Sequence, residues 1–103
     1  MIRHIVHLRF RADITEAEKS ALFTELSGLS EHIDGILDFQ HRKNISVETP
    51  LVREFLDMFW LDFRDTTVRD IYLEDETHQA IGGRIVATLD GGADGVFVCD
   101  IEI

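Results

Sequence analysis

In the stretch YLEDETHQAI a phenol and an imidazole, Tyr72 and His78, stand six residues apart. Imidazole is the side chain whose ordinary pKa suits proton removal near neutrality, and a phenol can hydrogen-bond a carbonyl oxygen as it becomes an enolate. On one continuous helix six steps turn through about 600°, which leaves the two side chains roughly 120° apart. They can serve one substrate only if the helix breaks between them. Asp75 and Glu76 suit the positive end of a second helix, and Thr77 is expected to cap it. Each residue also has a plainer reading. His78 heads the apolar stripe Ile81, Ile85 and Leu89 and could be a core histidine held by a backbone carbonyl, while Tyr72 could bury its ring and leave its hydroxyl wet.

A carboxylate supplies the second anomaly. Asp57 interrupts the apolar row Phe55, Phe59, Leu61 and Phe63, where an isolated charge is costly unless it is paired, hydrogen-bonded or held neutral. His4 similarly interrupts Ile2, Val6, Leu8 and Phe10. The expectation is that Asp57 pairs with His4, and that Asp57, His4 and His78 line one pocket beside Phe59, the carboxylate orienting an imidazole and raising its basicity. The plainer alternatives are a purely structural Asp57–His4 pair, or a shifted register that lets Asp57 reach water. Two histidines and one carboxylate could also form a facial metal site. No close-spaced metal motif supports that, and His7, His32 and His41 are distributed rather than clustered.

Bulk properties narrow the partners. The 103 residues are 45% hydrophobic, enough for one core and one domain, 1–103. With 20 Asp and Glu against 10 Lys and Arg the net charge is −10, which disfavours nucleic acid and anionic membranes and favours small molecules or proteins. The single cysteine, Cys99, cannot form an internal disulfide, and MIRHIVHLRF is too short and too charged for a signal peptide or a membrane span, so a cytoplasmic protein is expected.

The elements that must position these residues are set by periodicity. IRHIVHLRF reads as a strand, and TEAEKSALFTELSGL as a helix with a capping box from Thr15 to Glu18 and an apolar edge of Leu22, Leu26 and Leu29. ILDFQHRKN reads as a strand with Leu37, Phe39 and His41 on one side, and ISVETPLVR as a turn or loop. EFLDMFWLDF is a strand apolar on both faces, with Leu56, Met58 and Trp60 opposite the Asp57 row. Asp65 caps a helix with Val68, Ile71 and Tyr72 on its apolar edge, and a further helix carries His78. VFVCDIEI is a final strand with Phe97, Cys99, Ile101 and Ile103 on one side. AIGGRI lacks the features of a phosphate loop and reads as a site of close helix packing. The order is that of an α+β, ferredoxin-like four-stranded antiparallel sheet with helices on one face. Because helices can cover only one face, the row with Trp60 needs a second copy, giving a homodimer with Trp60 as an interface anchor.

On IRHIVHLRF, HRKNIS, FWLDF, YLEDETHQA and VFVCDIEI, the chain resembles the stress-responsive dimeric α/β-barrel (Dabb) domain family over essentially its full length. The resemblance implies two ferredoxin-like subunits whose sheets face each other to form a barrel, with a pocket in each subunit between sheet and helices. In a plant polyketide cyclase of that family the catalytic tyrosine and histidine match Tyr72 and His78, and a strand-one histidine matches His4; the histidine is a base on carbon and the tyrosine orients the substrate. That enzyme's third pocket histidine is replaced here by Asp57, and the family's usual His-Pro before the catalytic histidine is replaced by Asp75-Glu76. The resemblance implies a cofactor-independent cyclase or lyase acting on a carbonyl, polyketide-like compound. Its catalytic residues would be His78 and Tyr72, its substrate contacts His4, Asp57 and Phe59, with no cofactor and no metal. The alternatives are a non-catalytic, stress-associated dimer that binds or shields a molecule, and a metal-dependent or cofactor-free oxygenase of the same fold.

Overall fold

Strand alternation in β1, Ile2–Leu8, sends Ile2, His4, Val6 and Leu8 to one face, where all four are buried, and leaves Arg3, Ile5 and His7 on the other. The computed structural model describes residues 1–103 and places β1 inside a four-stranded antiparallel sheet of order β2-β3-β1-β4. The other strands are β2, Ile36–Lys43, β3, Asp57–Phe63, and β4, Val96–Glu102. Their register sets His4 between Leu61 of β3 and Asp100 of β4, and sets Asp57 opposite Leu8.

The helices are α1, Glu16–Ser27, the one-turn α2, Thr49–Val52, α3, Thr66–Glu74, and α4, Glu76–Val86. The expected capping box starts α1: the Thr15 hydroxyl accepts from the Glu18 backbone N–H at 3.1 Å while the Glu18 carboxylate reaches back to the Thr15 N–H. Asp65 starts α3 by accepting from the Val68 N–H at 3.0 Å. Leu22, Leu26 and Leu29 are buried with Phe23 against Val6, Leu8, Leu61 and Phe63, forming one core between the helices and one sheet face. No helix is long and apolar enough to cross a membrane.

Two local expectations are corrected. The register between β2 and β3 shifts at Ile36/Asp38, so Leu37 bulges out and is 57% exposed, while Phe39 and His41 keep the helix-facing side. Gly35, at φ +96°, feeds that bulge, and a Cβ there would lie 2.6 Å from a Val68 methyl. Phe55 and Phe10 fall outside the regular strands, because β3 begins at Asp57 and Phe10 makes only an isolated bridge to Leu89. On β4 the row Phe97, Cys99 and Ile101 shares the face of Ile5 and Trp60, the face without helices.

Candidate active site

The helix carrying Tyr72 does break before His78. Glu74 ends α3, Asp75 is extended at φ −63° and ψ 128°, and α4 starts at Glu76. Asp75, rather than Thr77, is the cap: its carboxylate accepts from the His78 backbone N–H at 2.8 Å and meets His32 Nε2 at 3.2 Å. The His78 amide and then His32 hold the Asp75 carboxyl below its ordinary range. Thr77 lies inside α4, since an aspartate one turn before the amide it serves fills the cap first.

This break brings the two rings together. Their centroids are 3.9 Å apart, and Tyr72 also packs on Phe63 at 5.0 Å and meets the edge of His4 at 5.7 Å. Tyr72 is 0% exposed, yet its hydroxyl has no hydrogen-bond partner; the His78 imidazole lies near the carbonyls of Leu73 and Tyr72, but its buried Nδ1 meets neither in full hydrogen-bond geometry. Such groups are rare inside proteins, where an unpaired buried polar atom costs about 1–3 kcal/mol. Both residues border one cavity of about 270 Å³ between α4 and the β1–β4 half of the sheet. His4, Phe59 and Asp100 border it too, with an otherwise apolar wall that includes Val6, Leu8, Ile85 and Val98.

Electrostatics divide the roles that the two rings can take. Burial lowers the His78 pKa below 6.5, and the nearby His4 lowers it further, outweighing Asp75 and the carbonyls of Leu73 and Tyr72. The imidazole is therefore neutral, with base capacity, at pH 7. Burial pushes the Tyr72 phenol above its ordinary 10, so it stays a protonated donor. One ring is suited to take a proton while the other holds its own.

His4 is braced from β4. Its Nδ1 lies 2.6 Å from Asp100 Oδ1, and Asp100 Oδ2 accepts from Arg69 of α3 at 3.2 Å. A carboxylate on one imidazole nitrogen fixes the ring's orientation. Asp100 was not foreseen, although the signal was available: alternation puts it in one row with Val96 and Val98, and a ferredoxin-like order pairs β4 with β1, which sets it opposite His4.

Asp57 departs from expectation. It is buried, but it stands four residues along β1 from His4, about 13 Å at the rise of a strand, and does not border the cavity. Its partners are Lys43 Nζ at 2.6 Å and Lys19 Nζ at 3.1 Å, and both lysines also bind Glu16. Burial works against the Lys43 charge, but its bonds to Asp57 and Glu16 outweigh this and raise its pKa, while Lys43 and then Lys19 hold Glu16 low. The proposed Asp57–His4–His78 cluster therefore does not form, either as a catalytic triad or as a facial metal site. His41 stacks on Phe23 at 4.6 Å near this charged group, and His7 lies on the open sheet face against Phe97. A larger cleft of about 490 Å³, bordered by Leu51, Phe55, Phe97 and Asp94, contains none of the expected site residues.

Comparison with known proteins settles the family. The model of the Stress responsive A/B Barrel Domain, Dabb, matches residues 2–103. The chain belongs to the Dabb family. A dimeric ferredoxin-like protein of unknown function from Jannaschia sp. CCS1 superposes with a TM-score of 0.88 at 29% identity, over 99% of this chain and 98% of that one. A Dabb family protein with a ferredoxin-like fold from Mesorhizobium loti gives 0.75 at 18%, over 99% and 95%. Hydroxynitrile lyase from Passiflora edulis gives 0.82 at 10%, over 99% and 92%, a likeness of fold alone. A search of curated proteins by sequence gives no match.

Proposed function

We propose that this Dabb protein is a homodimer that binds a small carbonyl compound in the α4–sheet cavity and catalyses cofactor-independent proton transfer at the carbon beside the carbonyl. The observation that carries the reading is that Tyr72 and His78, two side chains that border one cavity, each hold a buried polar atom with no hydrogen-bond partner, Tyr72 Oη and His78 Nδ1. A substrate carbonyl supplies the acceptor that Tyr72 lacks. A C–H bond beside that carbonyl then supplies the proton that neutral His78 can take. The C–H electron pair moves into the enolate, whose oxygen remains bonded to the Tyr72 hydroxyl. Attack of that enolate carbon on a second carbonyl forms a C–C bond, and the His78 proton passes to the new alkoxide, completing an aldol-type cyclisation. The same steps in reverse constitute a lyase. His4, held by Asp100, is a positioning residue and a further polar contact in this scheme. The hydroxynitrile lyase relative adds no support beyond fold, so the reading rests on this chain's own residues.

Dimerisation is supported by the open sheet face and by the dimeric description of relatives. That face carries Ile5, Trp60, Cys99 and Ile101, with Phe97 57% exposed in the single chain. Trp60 lies between the guanidinium groups of Arg3 and Arg42, at 5.7 and 5.6 Å. Trp60→Ala would remove the largest apolar side chain of that face and should shift the protein toward monomer in size measurement, whereas a wild type that is already monomeric at micromolar concentration would contradict the dimer.

The chemistry can be tested before the substrate is known. In D2O, base action on 2-heptanone replaces its α-hydrogens with deuterium, which proton NMR follows. Wild type should accelerate this exchange, and His78→Ala should slow it by about 100-fold or more. Exchange no faster than in buffer, with the ketone nevertheless bound, would favour the non-catalytic binding dimer.

A further inference from the structure

The cavity is graded along its length. At one end stand His4 and Asp100, cross-strand partners, with Tyr72 and His78 beside them; at the other, Leu8 faces Val96. Val6 and Val98 lie between. Four strand residues separate the ends, about 13 Å. Helix α4 runs the same way, with His78, Gly82, Ile85 and Val86 on the wall at helical spacing, so that Gly82 sits about 6 Å along the helix axis from His78.

Gly82 has no local reason to be glycine. It lies in regular helix, and a Cβ built on it meets no atom within 4 Å, so the close helix packing expected for AIGGRI is not what it provides. Glycine is a weak helix former, and at this cavity-bordering position a Cβ would enter open space. Gly83, its neighbour, also has no atom within 4 Å of a built Cβ but does not border the cavity.

The lining also has a charge character. It contains no lysine or arginine, and its one carboxylate is Asp100. Arg69, which touches Asp100 from outside the lining, is shared with Asp70 at 3.0 Å. An anionic ligand would meet Asp100 with no lysine or arginine in the wall, inside a chain of net charge −10.

From these placements we infer that the cavity's ligand is a neutral carbonyl compound with an apolar tail running from His78 past Gly82 toward Leu8 and Val96, and that Gly82 sets how long that tail can be. This rests on the carbonyl-binding reading above and adds the ligand's charge class and a specificity-determining residue to it. A volume of about 270 Å³ lies just below the roughly 300–1,000 Å³ typical of drug-sized sites, in keeping with a small ligand.

The test is a binding series of straight-chain 2-alkanones, from 2-butanone to 2-undecanone, against carboxylates of equal carbon number, measured by calorimetry or ligand-observed NMR. In wild type the ketones should bind more tightly with each added carbon up to a limit, and the carboxylates should bind at least about 10-fold more weakly, as expected for an unpaired buried charge. Gly82→Leu should shorten the limit and weaken the longest bound ketone by about 10-fold, the equivalent of two methylenes left in water, with Gly82→Ala intermediate. Gly83→Leu should match wild type, and circular dichroism on all variants separates loss of helix from loss of space. Equal affinity for ketones and carboxylates, or a length limit indifferent to Gly82→Leu while Tyr72→Phe still weakens ketones, would overturn this inference and leave the carbonyl reading standing. Absence of ketone binding to wild type, or ketone affinity unchanged by Tyr72→Phe, would overturn both.

Discussion

Two polar groups are buried on the helix-facing side of the sheet, and they are built in opposite ways. At the Leu8 end, Asp57 is fully paired: two lysines bind it, Glu16 binds the lysines, and no buried atom of the group lacks a partner, although the group borders a cavity of its own, also of about 270 Å³. At the His4 end, Asp100 and Arg69 brace one imidazole, yet the Tyr72 hydroxyl and His78 Nδ1, buried in two side chains that border a cavity, have no hydrogen-bond partner. A buried polar group that is fully paired maintains the fold. One that is buried, held rigid and unpaired is available to something that is not part of the fold. The sequence oddity of Asp57 and the chemical availability of His78 are different properties, and the second points to function.

The contrast can be broken first at Asp57. Asp57→Ala leaves the mostly buried Lys19 without its closest inward partner, while the half-exposed Lys43 can turn to water; the expected loss is about 2–4 kcal/mol in urea unfolding, with ketone binding by the folded protein unchanged. His78→Ala should do the reverse, abolishing α-carbon exchange with a small effect on stability. Tyr72→Phe removes a hydroxyl that bonds to nothing in the chain, so stability should hold or rise slightly while exchange falls by about 10-fold.

Acid sharpens the comparison. The folded His78 pKa lies below 6.5, so the folded state binds fewer protons than the unfolded state just below that pH. Its contribution to stability is full above 6.5 and is lost as the pH falls through the folded pKa. Exchange activity should fall through the same folded pKa as the base is protonated, and the midpoint should lie below 6.5. In His78→Ala this part of the stability profile should disappear. The smallest expected effect is at Gly82→Ala, which should raise stability by about 0.5–1 kcal/mol, because it adds helix propensity and meets no neighbour.

Periodicity carried most of the fold. The capping box at Thr15, the two-faced strand around Trp60 and the order of elements were all readable, because each depends on local spacing. The break between Tyr72 and His78 was readable for the same reason, though its cap is Asp75 and not Thr77. The partner of Asp57 was not, because Lys19 and Lys43 reach it from a helix and from the neighbouring strand, and nothing in a single row shows which long side chain will fold over it. Asp100 was overlooked in a row whose other face is the more apolar. Leu37 was misplaced because a bulge shifts parity by one residue without altering composition. The role of Gly82 depends on empty space, which no residue pattern displays.

The most direct test tracks the histidine side chains by long-range ¹H–¹⁵N NMR, with and without 2-heptanone. The expected result is that His78 titrates below pH 6.5 and that the ketone shifts its Nδ1 resonance, while His41, beside the Asp57 group, does not respond. A His78 that titrates at or above 6.5 and ignores a ketone the protein binds elsewhere would contradict the claim that its unpartnered nitrogen and the Tyr72 hydroxyl form the ligand site.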